Sequence, residues 1–265
     1  MPLILKNPNK KIEKADSSIL QEGYLENPEI DCSDGDQYLR NIALFNKFKI
    51  ILNPYTRPIY EYIKNFCIDY TKNHPQYPKY IWKPKICDIG CGGGFGANIM
   101  SQEADFVWGI DIDKNSIKWA NEVFARHKNS IYYTSQLSFE VIDVVKEDRE
   151  IMKFDIVSCI ELIEHVDEYQ KLLDFIKRIC KKNKSGNYIE PPDGTIVFIS
   201  TPNRNHKGIL TRPQNKRHVR EWTPEEMYKV LTDNFKYVTL MDFKGNLQEL
   251  DTKVGVILFK CETPK

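Results

Sequence analysis

Five glycines crowd into seven residues, from Gly90 to Gly96, in the stretch Asp88-Ile89-Gly90-Cys91-Gly92-Gly93-Gly94-Phe95-Gly96-Ala97-Asn98. An apolar run precedes them and a helix-forming run follows. A strand-to-helix junction this rich in glycine reverses the chain tightly and lets its backbone come close to a ligand. The start of the following helix favours an anionic group such as a carboxylate or pyrophosphate. Asp111 closes the next strand-like run, 23 residues beyond Asp88. A carboxylate there can accept both hydroxyls of a ribose. Together these features imply a site for a nucleoside-containing cofactor, against the plainer reading of a glycine-rich turn with no ligand.

The flanking pattern predicts the fold around this junction. Runs at 85–90, 106–113, 139–145, 154–160 and 195–201 are almost continuously apolar, as strands covered on both faces are. Helical patterns at 97–103, 116–127 and 169–181 separate them. The last ends in Lys177, Arg178, Lys181 and Lys182, which suit the negative end of a helix dipole. A further helix begins after Thr223, with Pro224 in its first turn and Glu226 completing a capping box. Trp222 and Met227 complete a hydrophobic staple, which makes Trp222 structural. Runs at 237–243 and 254–261 then follow each other without a helix, predicting an antiparallel hairpin at a sheet edge. The alternation predicts an α/β chain of βαβ units around a mainly parallel sheet.

Residues 1–80 read as an N-terminal extension and 81–265 as the cofactor-binding domain. Positions 15–36 hold seven acidic residues and no Lys or Arg. That segment is either a solvated acidic stretch or, with Tyr24 and Tyr38, a lid. A helix near Pro54 or Pro58, capped by Asn53 or Thr56, would turn Ile59, Tyr62, Ile63, Phe66 and Tyr70 to a core. The three-proline stretch 72–84 reads as a linker, and His74 and His127 as surface groups. Lys plus Arg number 38 against 37 acids, which excludes a strongly basic nucleic-acid coat protein while leaving room for a local basic patch. The seven cysteines form no C-x-x-C pair, and Cys87, Cys159 and Cys261 sit in apolar runs. They read as reduced, buried thiols of a cytoplasmic protein. No secretory leader pattern and no apolar stretch of ~18 residues for a membrane span is present.

Gly92, Gly94 and Ala97 also fit the dinucleotide pattern G-x-G-x-x-A. Asp88 at the end of the first strand argues against it, because an acid there repels a pyrophosphate and suits a cationic amine. The segment Asp88-Ile89-Gly90-Cys91-Gly92-Gly93-Gly94 resembles the first motif of the class I S-adenosylmethionine-dependent methyltransferases. Gly109-Ile110-Asp111, Ile142-Asp143-Val144, the stretch from Phe154 to His165 and that from Thr195 to Asn203 resemble their later motifs in order. The resemblance covers about residues 80–262. It implies a Rossmann-like doubly wound sheet of seven strands, mostly parallel with an antiparallel last strand. It also implies that Asp111 holds the ribose with Ile112 beside it, and that Asp143 and the Val144 backbone read the adenine. Asp88, Gly90, Cys91, Gly92, Gly94 and Glu161 would line the rest of the cofactor.

Glu161-Leu162-Ile163-Glu164-His165 starts where the fourth strand ends, at the rim where open α/β sheets bind ligands. If the chain is helical there, positions i, i+3 and i+4 share a face and Glu161, Glu164 and His165 converge. They would then form either a divalent-metal or acid/base site, or a packed acidic helix start. The pattern resembles two methyltransferase branches, the ubiquinone-biosynthesis O-methyltransferases and the small-RNA 3′-terminal 2′-O-methyltransferases. In the latter such residues hold a metal with a later histidine, a place His218 would take here. Glu161, Glu164, His165 and His218 are thus the metal candidates, for Mg or Mn, and His165, His218 and Glu161 the catalytic ones. Segment 203–220 carries Arg204, Lys207, Arg212, Lys216, Arg217 and Arg220 with no acid, either a solvated loop or a lip for an anionic acceptor.

These observations imply methyl transfer from S-adenosylmethionine to the oxygen of a small-molecule, glycan or lipid-type acceptor. RNA 2′-O-methylation is the alternative within the same chemistry. A non-catalytic cofactor-fold binding module is the alternative of another class.

Overall fold

The computed structural model describes residues 56–74, 82–125, 136–206, 215 and 217–265. The acidic segment 15–36 with Tyr24, Cys32 and the neighbouring Tyr38 lies outside these residues, as do Asn53, Pro54, His127, Lys207, Arg212 and Lys216.

Seven strands form one sheet: β1 Lys85–Ile89, β2 Phe106–Asp111, β3 Gln136–Val141, β4 Ile156–Ile160, β5 Ile196–Pro202, β6 Phe235–Met241 and β7 Val256–Pro264. Their order is β3-β2-β1-β4-β5-β7-β6. The first five run parallel, and β7 lies antiparallel to both β5 and β6. The hairpin expected at the edge is therefore β6–β7. The chain leaves β1 towards β2 on one side and returns to β4 on the other. A crevice opens at this switch, at the carboxyl ends of the strands. All five residues of β4 are buried, whereas edge strand β3 alternates, as continuous and alternating apolar patterns require.

Helices α1 Arg57–Asn73, α2 Phe95–Met100 and α3 Lys114–Val123 cover one face, and α4 Tyr169–Ile179 and α5 Pro224–Asn234 the other. Helix α1, read from sequence as part of the N-terminal extension, buries Ile59, Tyr60, Ile63, Cys67 and Tyr70 in the same core as β1 and α2. Tyr62 and Phe66 are only partly buried, so the buried stripe is rotated towards Tyr60 and Cys67. The Tyr60 ring lies directly on Gly96, where a Cβ would fall 2.2 Å from it. Only glycine permits that approach.

Two element ends differ from the sequence reading because a side chain captures the backbone. Asp113 does not extend β2: its carboxylate accepts from Asn115 N and Ser116 N and starts α3 two residues early. Strand β3 ends at Val141 because Asp143 turns the chain, accepting from Val145 N at 3.1 Å and, through its carbonyl, from Lys146 N at 3.0 Å. The capping box at Thr223 and Glu226 forms as expected, and Trp222 is buried. His74 is not a surface group. It stacks on Trp82 with ring centroids 3.8 Å apart and its Nε2 lies 3.6 Å from Asp193 Oδ1. Cys87, Cys159 and Cys261 are buried free thiols, as are Cys67, Cys91 and Cys180.

Candidate active site

Asp88, at the end of β1, is fully buried. Ser158 Oγ donates to its Oδ1 at 2.7 Å and Tyr60 OH at 3.4 Å, while Oδ2 is buried with no hydrogen-bond partner. Burial pushes the carboxyl up to about 7 against the pull of those two hydroxyls. A buried carboxylate oxygen left unpaired is unfavourable, and a cation placed there removes the penalty. Gly90, Gly92 and Gly94 all have positive φ, and the space over Gly92 is open: a Cβ there would meet no atom within 4 Å. Asp111 braces the loop, its Oδ2 accepting from Gly92 N at 2.8 Å and its Oδ1 from Asp113 N at 2.9 Å. Each oxygen keeps a second lone pair for a hydroxyl. Ile112 beside it is an exposed apolar side chain. Asp143 sits on the next loop, held below the usual carboxylate range by Lys146 Nζ at 2.8 Å, with Val144 partly buried next to it. The Cys91 thiol is buried beside Gly109, which leaves its backbone as the part of the residue that belongs to the loop surface. Helix α2 has only six residues, so the cradle is a property of the loop more than of a helix dipole.

The second group stands at the ends of β4 and β5. The chain forms no α-helix across 161–165. Glu161 has φ 53° and a single 3-10 turn spans Ile163–His165, so the shared helical face expected from sequence does not form. Ser200 holds Glu161: its Oγ donates to Oε1 at 2.9 Å and accepts from Glu161 N at 3.1 Å. Glu164 is buried, its Oε2 accepting from Thr201 Oγ1 at 3.1 Å and its Oε1 left without a partner. Desolvation raises both carboxyls above the usual carboxylate range, Glu164 the further, with Glu161 adding repulsion to Glu164.

His218 reaches this group from the loop after β5, because Val219 N donates to the Glu164 carbonyl at 2.8 Å. The rings of His165 and His218 meet edge to face with centroids 4.7 Å apart. Ligand atoms of Glu164, His165 and His218 all lie within 4.8 Å of one another, while Glu161 is not part of that group. Glu221 Oε1 lies 2.6 Å from His218 Nδ1, and the Arg217 carbonyl lies 3.3 Å from His165 Nδ1. His165 is held below the usual imidazole value by desolvation and by His218. Glu221, Asn215, Ser158, Ser200, Thr201 and Tyr60 were not legible as site residues. Only the spacing of Glu221, three residues after His218 in one loop, offered a signal.

The basic segment is partly neutralised from outside itself. Arg204 pairs with Glu226 at 2.5 Å and donates to the Glu221 carbonyl at 3.2 Å. Arg220 donates to the Asp167 carbonyl and carboxylate at 2.9 and 3.2 Å and lies over the Tyr169 ring. These two arginines are thereby tied to the start of α5 and to the turn before α4.

The comparisons with known proteins bear on family and fold. A family model described as a methyltransferase domain matches residues 61–253. A ubiquinone biosynthesis O-methyltransferase of Idiomarina loihiensis is 30% identical over 146 residues, 55% of this chain and 53% of its own length. One from Neisseria meningitidis is 32% identical over 145 residues, 54% of this chain and 52% of its own. The chain thus spans about half the length of these curated relatives. Among solved structures, a TehB-like SAM-dependent methyltransferase of Corynebacterium glutamicum superposes with a TM-score of 0.54 at 16% identity, covering 88% of this chain and 98% of that one. The methyltransferase domain of bacterial CtHen1-C superposes with a TM-score of 0.54 at 16% identity, covering 78% and 100%. At those identities the two structures attest the fold alone.

Proposed function

The chain belongs to the methyltransferase-domain family, within the class I S-adenosylmethionine-dependent methyltransferases, and on that premise we propose that it methylates a hydroxyl oxygen of a small molecule. The observation that carries the oxygen assignment is the convergence of Glu164, His165 and His218 at the rim beside β1. A hydroxyl is a weak nucleophile until it loses its proton, and a base in this cluster can take that proton as the oxygen attacks.

Asp88 Oδ2 would take the ammonium of the cofactor, and Asp111 its ribose hydroxyls, through lone pairs the structure leaves free. The Gly90–Gly94 loop would give it room, with Ile112, Asp143 and Val144 at the adenine. The bound cofactor supplies a methyl group on a positively charged sulfur, so its leaving group needs no further activation. What remains for the protein is alignment of the acceptor oxygen and removal of its proton. Of the two imidazoles, His218 is the one assigned as the base, because Glu221 Oε1 lies 2.6 Å from its Nδ1 and orients the ring. The Nδ1 of His165 faces the Arg217 carbonyl and has no carboxylate behind it among the described residues. Glu161, bound to Ser200, would shape the wall between cofactor and acceptor.

A second reading uses the same residues. Glu164 has an unpartnered buried oxygen, and both histidines have Nδ1 engaged, so Glu164, His165 and His218 also fit a divalent cation, which would acidify the acceptor hydroxyl. Two imidazoles and one carboxylate form a softer donor set than the all-oxygen shell that suits Mg. The test is methyl transfer from labelled cofactor to a panel of phenols, sugars and hydroxylated lipids, with short RNA as a separate arm, each with and without chelator. Transfer to small hydroxyls that survives chelator supports the base reading. Loss with chelator and recovery with added metal supports the cation. Transfer to RNA alone contradicts the small-molecule assignment.

A further inference from the structure

We propose that Glu221 is the positioning residue of the acceptor-side base, fixing His218 in the tautomer whose Nε2 lone pair faces the acceptor. The inference rests on the reading of His218 as that base. Three contacts lead to it in order. Arg217 N donates to Asn215 Oδ1 at 3.0 Å, which identifies the oxygen of that amide. The atom of Asn215 lying 3.0 Å from His218 Nε2 is therefore the nitrogen Nδ2, a donor, and Nε2 must be accepting. The ring proton is then on Nδ1, where the Glu221 carboxylate accepts it at 2.6 Å. Two neighbours on opposite sides of the ring thus select the same tautomer.

The surroundings make Glu221 a firm partner. The two side chains are 11% and 10% exposed, so water competes little for the bond. A carboxylate–imidazole bond of this length is of the strong, charge-assisted kind. Glu221 directly precedes buried Trp222 and the capped start of α5, and its carbonyl is held by Arg204. Glu221 is thereby carried by a rigid element, and the ring it holds is tied to the end of β4 through Val219 N. The acceptor hydroxyl, itself a donor, takes the place of the Asn215 amide at Nε2. As the acceptor oxygen gains the methyl group and the sulfur–methyl bond breaks, the hydroxyl proton ends on Nε2. The resulting imidazolium faces the Glu221 carboxylate. An orienting acid behind a histidine base is a recurring catalytic arrangement.

The test uses the full chain with S-adenosylhomocysteine bound and reads the neutral His218 tautomer by imidazole nitrogen NMR, beside turnover on the phenol and sugar panel. Native protein should show the Nδ1–H form. Glu221→Gln should give a mixed tautomer and a kcat lower by roughly 10–100-fold, a loss scaled from removal of the carboxylate behind a metal-bound histidine, with the cofactor KM unchanged. Glu221→Asp, which keeps the charge, should recover part of the kcat. A Glu221→Gln protein with native tautomer and native kcat, beside an inactive His218→Ala, overturns this inference alone. A His218→Ala protein with native turnover overturns the reading of His218 as the base, and the inference with it.

Discussion

The ends of β1 to β3 and the ends of β4 and β5 use acidic residues in opposite ways. In the first region Asp111 and Asp143 each accept backbone N–H groups, and they serve as brackets for their loops. In the second, Glu161 and Glu164 receive one hydroxyl each, and Glu161 raises its neighbour by repulsion. Asp88 shares that unsatisfied character, with one oxygen unpaired at the junction of the two regions. In the proposed function, acids bound to backbone build the cofactor cradle, and acids short of partners receive charge. The proposed function is a division of labour, with cofactor held on the β1–β3 side and acceptor chemistry performed on the β4–β5 side.

The largest effect expected from this division is on turnover. His218→Ala should lower kcat by about 10²–10⁴-fold, the usual contribution of a positioned base. A native rate in stopped assays with labelled cofactor would remove the acceptor-side chemistry from the β4–β5 rim.

The next effect concerns the junction. Burial pushes the Asp88 carboxyl up to about 7 in the folded protein, from an ordinary 3.8. Between those values the unfolded chain has released a proton that the folded chain retains, so this group lowers stability as pH rises from about 4 to 7. Asp88→Asn removes that loss, and above pH 7 the cofactor-free variant should be more stable than native protein, by up to roughly 4 kcal/mol. It should also bind cofactor more weakly and without the native gain in affinity as pH rises through 7. Denaturant unfolding at pH 5 and pH 8 checks the first part. A variant less stable than native at pH 8 would show that Asp88 is a structural anchor and not a charge kept for the ligand.

The smallest effect separates a bracing role from an acceptor-binding lip. Arg220 is tied to Asp167 and lies over Tyr169, so Arg220→Ala should cost about 1 kcal/mol or less and leave the acceptor KM unchanged at low salt. A KM that rises at low salt and recovers at high salt would return Arg220 to the lip.

The same contrast explains what the sequence disclosed. The cradle is local: Asp88, the glycines and Asp111 lie in two strand–loop–helix junctions, so spacing alone places them, and the continuous apolar runs place the strands beneath. The acceptor side is not local. The convergence of Glu164 with His218 depends on Val219 N reaching the Glu164 carbonyl across the sheet rim, and no periodicity records that bond. A helical face was the natural expectation for 161–165, and the left-handed backbone of Glu161, held by Ser200, breaks it. Glu221 was hidden among the charged residues before α5. Tyr60 lies one position from the stripe read for α1, and its place depends on Gly96, 36 residues later.

The division of labour is tested most directly by calorimetric titration of S-adenosylhomocysteine into Asp111→Ala and His218→Ala side by side. Asp111→Ala removes both the ribose acceptor and the brace on Gly92, and its affinity should fall at least tenfold, since charge-assisted bonds contribute ~1.5–3 kcal/mol each. His218→Ala should bind as tightly as native protein. Equal losses in the two variants, or a loss confined to His218→Ala, would contradict the separation of cofactor binding from acceptor chemistry.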